Sequence, residues 1–561
     1  MSARTLVLGL DGATWDVLLP LQDELPNLRR LWTEGVGVPL RSTTPPMTLP
    51  SWSSCLTGCS PGTHGIVDFT RRVPGTYRLA FCDARDRRVP TMHEVLSARG
   101  RRVASITVPT TYPPTEVNGV VVSGFDSPVA TAVEALHCSP RSLHDEITRR
   151  FGGLRFADFQ EGDIGPAWHA HARDALLREI ARKEELCAWL LDREDWDLFM
   201  VVFGESDTAS HHFWMFHDPG SPRFPGPGPF DDVVRAVYRR LDAAVGALAR
   251  RGTHVCVVSD HGFGGAGTQA LYLNRFLEEA GWLAFRGATH AGAGLRARVE
   301  ALRARGLDRL RQAAMRLPVE KLLRRMPSSW TSRAETAARW GDLDFARTRA
   351  WSDELNYAAT VHLNLRGRDP QGCVTDREAA LRELTVLLLG WEIEGEPVVA
   401  RVITREEAMP GEGAAGAPDL FLELALEGGY SRTLLPSARV PRGTTWRRLR
   451  ADEHVGGKGL GMNGSHRQHG VWMLHGPGVR TGAEVPAGEG DAGMADVLPT
   501  LFALAGEAIP DHIQGSVRHE LLDEHLFVPA GLATATTPAR MAAMPSDDDA
   551  LRARLERLGY L

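Results

Sequence analysis

Short patches of this chain carry the residue types that bind divalent cations. They are Asp11 in LVLGLDG, Thr48 in MTLPSW, Asp207 and His211 in FGESDTASHH, Asp260 and His261 in VVSDHGF, and His466 in NGSHRQHG. Three carboxylates, three imidazoles and one hydroxyl suffice for two adjacent ions with a nucleophile between them. That is a standard arrangement for displacing a group from phosphorus. Asp207 and His211 are four apart, so on a helix they share one face and can share one ion. A third ligand from the stretch holding His466, His469 and His475 would complete a two-histidine, one-carboxylate site with an open position, as in catalytic zinc centres. Asp11, Asp260 and His261 make a second, oxygen-richer group. The Thr48 hydroxyl is a poor nucleophile at neutral pH, and coordination to a metal would activate it.

These residues need a scaffold that brings distant positions together. Short apolar runs end close to several of them. Thr5 to Leu10 precedes Asp11, Leu198 to Phe203 precedes Gly204, and His254 to Val258 precedes Ser259. Val103 to Val108 and Gly119 to Val122 read as two more strands. Between them, Leu176, Ile180, Cys187 and Leu190 keep one helical face over 171–193, and Val234, Val237, Leu241, Val245 and Leu248 do so over 231–250. Strands alternating with amphipathic helices predict an α/β fold with a mostly parallel central sheet covered by helices on both faces. Ligands of such sheets bind beyond the carboxyl ends of the strands, which is where Asp11, Asp207 and Asp260 fall.

The rest of the chain divides by composition. Residues 1–285 read as the first part of the core, and 286–345 as a basic helical insertion. Within that insertion, 290–330 holds ten Arg or Lys against three acids. Residues 346–450 read as a smaller α/β subdomain and 451–528 as the last part of the core. Residues 529–561 read as a connector and a final helix starting at Ser546. The run from Asp218 to Pro229, DPGSPRFPGPGP, reads as a loop. The sheet is expected to resume at Val471 to His475, followed by a helix over about 495–505.

Composition excludes several classes. A net charge of −6 over 561 residues predicts no general affinity for nucleic acid. No apolar run is long enough for a transmembrane helix, and Met1 to Thr5 leads straight into a strand without a signal-peptide pattern. Seven scattered cysteines with no Cys-x-x-Cys pair predict reduced thiols and a cytoplasmic location.

The ordered set of motifs resembles the alkaline phosphatase superfamily, in the branch of type I phosphodiesterases and nucleotide pyrophosphatases. Within it the chain looks most like a bacterial group described as predicted phosphohydrolases or phosphomutases. The matching stretches include GLDGATWDVLLPL, RSTTPPMTLPSWSSCLTGCSPGTHGIVDF, DTASHHFW, VVSDHGFGG, GAPDLFLEL and NGSHRQHGVWMLHGPGV. The resemblance implies an alkaline phosphatase-like fold and a site of two divalent ions. Asp11, Thr48, Asp260 and His261 would hold one, and Asp207, His211 and His466 the other. His466 is singled out by the Gly-Ser-His-Arg element, Gly464 to Arg467. Mixed nitrogen and oxygen ligation suits Zn2+, with Mn2+ as the alternative.

The resemblance further implies that Thr48 attacks a small phosphorylated substrate, most plausibly a phosphodiester, and is transiently phosphorylated before water releases it. Ser51 and Trp52 would then contact the substrate. Ser51 stands where the nucleotide pyrophosphatases carry Asn, so the motif does not specify a nucleotide. The absence of Arg from both Thr48–Trp52 and Cys59–Thr63 argues against a sulfatase. A phosphomutase or phosphotransferase would use the same residues with another acceptor. Intact ligand types at all seven positions argue against a non-catalytic binding protein.

Overall fold

The structure is a computed structural model. It describes residues 3–124, 135–154, 164–286, 336, 339–354, 358–454, 456, 461–482, 492–523 and 536–543. The basic stretch 290–330 and the helix expected from Ser546 lie outside the described residues, as does the connector apart from 536–543.

The chain opens with β1 (Ala3–Leu10), α1 (Pro26–Glu34), β2 (Val36–Arg41), α2 (Thr48–Thr57) and α3 (Met92–Ala98). Then come β3 (Val103–Val108), β4 (Gly119–Ser123), β5 (Cys138–Ser139) and α4 (Pro166–Leu191). They are followed by β6 (Trp196–Phe203), α5 (Glu205–His217), α6 (Val233–Ala249), β7 (Gly252–Val258) and β8 (Gly262–Leu271). The later core supplies β9 (Gly464–Arg467), β10 (His469–His475) and α7 (Val497–Ala505).

Eight strands form the main sheet, in the order β2-β10-β7-β1-β6-β3-β4-β5. The four central pairings among β7, β1, β6, β3 and β4 are all parallel. Only β10 and β5 run against their neighbours. This is the mostly parallel sheet expected from the alternation of apolar runs and helices.

Both faces are covered, and β1 shows why its residues are nearly all apolar. Leu6, Leu8 and Leu10 pack with Leu28 and Leu31 of α1, Leu176 and Ile180 of α4 and Leu241 of α6. Val7 points the other way, against Trp52 and Cys55 of α2, Val95 of α3 and Leu498 and Leu501 of α7. Each such side chain contributes about 1.5–3 kcal/mol by leaving water. Residues buried on both faces lose the polar alternation of a half-exposed strand.

Two features were not read from the sequence. The Gly-rich β8 has no apolar period, yet it is a ten-residue strand. It pairs with β9, so His466 stands on a short strand opposite Phe263 rather than in a loop. Beyond β8, an all-antiparallel sheet runs Ala350–Trp351, Ala359–Leu363, Leu420–Leu424, Val399–Thr404. Helix Arg377–Leu389 packs Leu381, Leu384 and Leu388 into the apolar cluster of this sheet. All seven cysteines are free thiols. Among the described residues, no helix is long and apolar enough to cross a membrane.

Candidate metal centre

Three parallel strands deliver the carboxylates. Asp11 follows β1 and is tied there by its backbone, with its N–H donating to Phe203 O at 2.9 Å and its carbonyl accepting from Ser206 Oγ at 2.6 Å. Asp207 lies in the first turn of α5, which starts where β6 ends. Asp260 and His261 lie in the three-residue step from β7 to β8, after Ser259. Gly12 allows these segments to close up. Its φ is +66°, and a Cβ there would stand 3.1 Å from the Asp207 Cα. Its N–H donates to Asp260 Oδ1 at 3.2 Å.

The side chains converge in two groups. In the first, Asp207 Oδ1 is 3.3 Å from His211 Nε2 and 3.4 Å from His466 Nε2, and the two Nε2 atoms are 3.0 Å apart. In the second, His261 Nε2 lies 3.6 Å from Asp11 Oδ1 and 3.4 Å from Asp260 Oδ2. His261 also reaches toward the first group. Its Nε2 is 3.9 Å from Asp207 Oδ1, and its ring stacks on His466 with centroids 3.6 Å apart. Thus Asp207, His261 and His466, like Asp11, Asp260 and His261, present ligand atoms within 4.8 Å of one another.

Each imidazole is oriented from behind. Nδ1 of His211 faces Gly464 O at 3.1 Å, Nδ1 of His261 faces Gly262 O at 3.0 Å, and Nδ1 of His466 faces Pro46 O at 2.8 Å. A carbonyl only accepts, so the ring proton sits on Nδ1 and the Nε2 lone pair faces the cluster. Burial first, then the neighbouring His466 charge, holds the His261 ring well below the usual histidine range, which keeps it neutral. Burial lowers His466 in the same way.

The carboxylates behave as a crowded anionic site. Burial, then repulsion from Asp207, pushes Asp11 well up. Burial, then Asp11 and Asp207, does the same to Asp260. For Asp207, burial opposes ionisation, yet His211 and His466 beside it hold the carboxyl well below the ordinary range. Asp11 Oδ1, Asp207 Oδ1, Asp260 Oδ2 and His261 Nε2 are buried without hydrogen-bond partners. Leaving one such atom unpaired costs about 1–3 kcal/mol, and more when charged. Four at one point would cost about as much as the ~5–15 kcal/mol that holds a domain folded. A divalent cation removes that cost, so the residues fit a metal.

Thr48 is the first residue of α2, buried at 4% exposure. Its chain neighbours touch both groups. Pro46, two residues before it, accepts from His466, and Trp52, one turn after it, donates its indole N–H to Asp11 Oδ2 at 2.9 Å. Ser51 and Trp52 are fully buried. Ser51 Oγ is 2.8 Å from both Ser42 Oγ and Thr43 Oγ1.

Of the other histidines in these motifs, His469 is exposed and His475 lies 3.8 Å from Glu34 at the far end of β10. His212 is buried, with its ring centroid 4.7 Å from that of Trp168. Beneath Asp207, a buried Lys183–Glu205 pair at 2.9 Å joins α4 to the start of α5. No motif flagged it, because a lone Lys in an amphipathic helix carries no signal of burial.

Residues 5–372 match the family model described as type I phosphodiesterase / nucleotide pyrophosphatase. Comparison with curated proteins finds no match. Among solved structures, phosphonoacetate hydrolase from Sinorhizobium meliloti 1021 in complex with phosphonoacetate is similar at 16% identity and TM-score 0.49, over 90% of this chain and 95% of that one. Human ectonucleotide pyrophosphatase / phosphodiesterase 5 is similar at 12% identity and TM-score 0.46, over 93% and 100%. The murine counterpart in complex with AMP gives 12% identity and TM-score 0.47 over the same shares.

Proposed function

The chain belongs to the type I phosphodiesterase / nucleotide pyrophosphatase family, and from that premise we propose that it hydrolyses a phosphodiester through a phosphorylated Thr48. It is a phosphoric ester hydrolase, and the finer reading rests on one observation. Four buried ligand atoms lack partners at the point that Pro46 and Trp52 bracket on either side of Thr48.

Asp207, His211 and His466 would hold one divalent cation, and Asp11, Asp260 and His261, with Thr48, a second. The imidazole-rich set favours zinc, with manganese as the alternative. When bound, the cations would supply Lewis-acid neutralisation of the phosphoryl oxygens and of the Thr48 hydroxyl as it loses its proton. The chain's own residues do the rest. Thr48 Oγ1 attacks phosphorus in line, a Thr48 O–P bond forms, and the P–O bond to the leaving alcohol breaks. Water then attacks the same phosphorus, which frees the Thr48 hydroxyl and releases the phosphomonoester.

The N–H groups in the first turn of α2 would be available to the phosphoryl oxygens, as helix N-termini are to anions. Trp52 keeps one Asp11 oxygen occupied so that the other faces the cluster. Ser51 acts through Ser42 and Thr43, bracing the turn that enters α2.

The test is acid-quenched turnover of bis(p-nitrophenyl) phosphate, followed by mass spectrometry. A p-nitrophenyl phosphoryl mass on the peptide containing Thr48, absent in Thr48→Ala, is expected. Full activity in Thr48→Ala would overturn the covalent route.

A further inference from the structure

The loop Asp218–Pro229 carries one cation, Arg223, and it does not point to solvent. Arg223 is 3% exposed. Its Nε donates to Gly267 O on β8 at 2.8 Å. Its Nη1 faces three acceptors on the segment leading into β9, Gly461 O at 3.0 Å, Met462 O at 2.9 Å and Asn463 Oδ1 at 3.2 Å. Its Nη2 reaches Thr433 Oγ1 at 3.4 Å. One planar fork thus joins β8, the Thr433 strand and the entry to β9.

The segment it grips is wired directly to the histidines. Asn463 N–H donates to His211 O at 2.9 Å, and Asn463 Nδ2 donates to His212 O at 3.2 Å. Asn463 O accepts from Ala266 N at 3.0 Å. The next residue, Gly464, offers its carbonyl to His211 Nδ1, and His466 follows two residues later. The loop itself is braced. Arg223 N–H donates to Ser221 Oγ, Phe224 N–H to Ser221 O, and Tyr430 OH to Asp218 Oδ2 at 2.9 Å. Its prolines narrow the states it can adopt before folding. A rigid Pro/Gly loop that buries a guanidinium among carbonyls is costly to build for packing alone.

We propose that Arg223 is a positioning residue for the metal group formed by Asp207, His211 and His466. It sets where Asn463 and Gly464 stand, and through them the His211 ring and the approach of His466. The inference rests on the metal-binding reading above. Lysine has a single point donor and cannot reproduce the fork, so Arg223→Lys keeps the charge and removes the geometry.

The experiment uses the full-length chain as wild type, Arg223→Lys, Asn463→Ser and His466→Ala. Metal-free proteins are titrated with Co2+ and followed by visible absorption. The expected result is that Arg223→Lys weakens, by tenfold or more, the same cobalt equivalent that His466→Ala removes. The other equivalent should stay within twofold, with an altered ligand-field band for the weakened one. Equal weakening of both equivalents, or none, overturns the proposal. Asn463→Ser breaks the same path from its other end and decides the matter if Arg223→Lys does not fold.

Hydrogen–deuterium exchange of the metal-free proteins separates this inference from the reading beneath it. A wild type that takes up no cobalt overturns the metal reading. Even then, exchange at 461–467 that is tenfold faster in Arg223→Lys, with 5–11 unchanged, supports the clamp. Unchanged exchange at 461–467 overturns it.

Discussion

The Nε2 atoms of His211 and His466 lie 3.0 Å apart, although the Nδ1 atom of each ring already faces a backbone carbonyl. Two lone pairs therefore point at each other, and Asp207 Oδ1 completes the triangle. A cation at their common focus turns this repulsion into ligation. Protein purified without chelator should contain close to two transition-metal ions per chain by elemental analysis. Chelation should lower Tm and zinc should restore it, since a ligand at a hundred times its Kd stabilises by about 2.7 kcal/mol. Metal content below one ion per chain, with a Tm indifferent to zinc, would sink the two-metal reading.

Thr48→Ala should fold with an unchanged Tm, because the side chain is small and opens a helix held by Pro46 and Trp52 on either side. Turnover should fall by roughly a thousandfold or more, the scale seen when a nucleophile is removed. Thr48→Ser retains a hydroxyl and should keep part of the rate. Steady-state kinetics on an aryl phosphodiester reads both.

Trp52→Phe keeps the ring in the apolar layer of α2 but removes the donor to Asp11 Oδ2. The orphaned carboxylate oxygen costs about 1–3 kcal/mol. Losing such a supporting bond typically weakens metal binding by about 10–100-fold. Competition with a chelator of known affinity measures the loss, and an unchanged affinity would show that Asp11 is held by other means.

His466→Ala should reduce metal occupancy and activity together. His469→Ala, three residues on and exposed, should change neither by more than about twofold, as surface changes usually do. The reverse ranking, read by elemental analysis beside kinetics, would move the ligand to His469.

Away from the site, Glu354 predicts a pH dependence. Its carboxyl accepts from Asn274 N and Ser437 N, yet burial pushes it up from the ordinary glutamate value of 4.5 to about 7. The folded chain then holds a proton that the unfolded chain has released. Stability from the protonated form is complete below pH 4.5 and is lost as pH rises through about 7. Glu354→Gln is neutral throughout and should flatten the decline in Tm across that window. A decline of the same slope in the variant would assign the pH dependence to other groups.

Local patterns were enough to read the scaffold. The apolar runs at β1, β3, β6 and β7, with the amphipathic periods of α4 and α6, announce a parallel sheet with two covered faces, because burial on both sides removes polar alternation. Asp207 and His211 could be paired from spacing alone, since one helical turn joins them. The family was likewise legible, because its motifs are short and keep their order along the chain.

Tertiary structure alone decided how the groups meet. The place of His261 between both clusters depends on the step from β7 to β8 and on the stacking of His466. The strand β8 has no apolar period to read, since a Cβ at Gly262 would meet His469 O, one at Gly264 the Arg467 side chain and one at Gly265 the rings of Trp214 and Tyr430. Trp52 looked like a substrate contact in its motif, and its partner Asp11 is 41 residues away. Arg223 lies in a run legible only as a loop, and its acceptors lie 44 to 240 residues further along. Composition and period report what each segment must bury. Which atom meets which across hundreds of residues is set only when the sheet order and the strand registers bring the segments together.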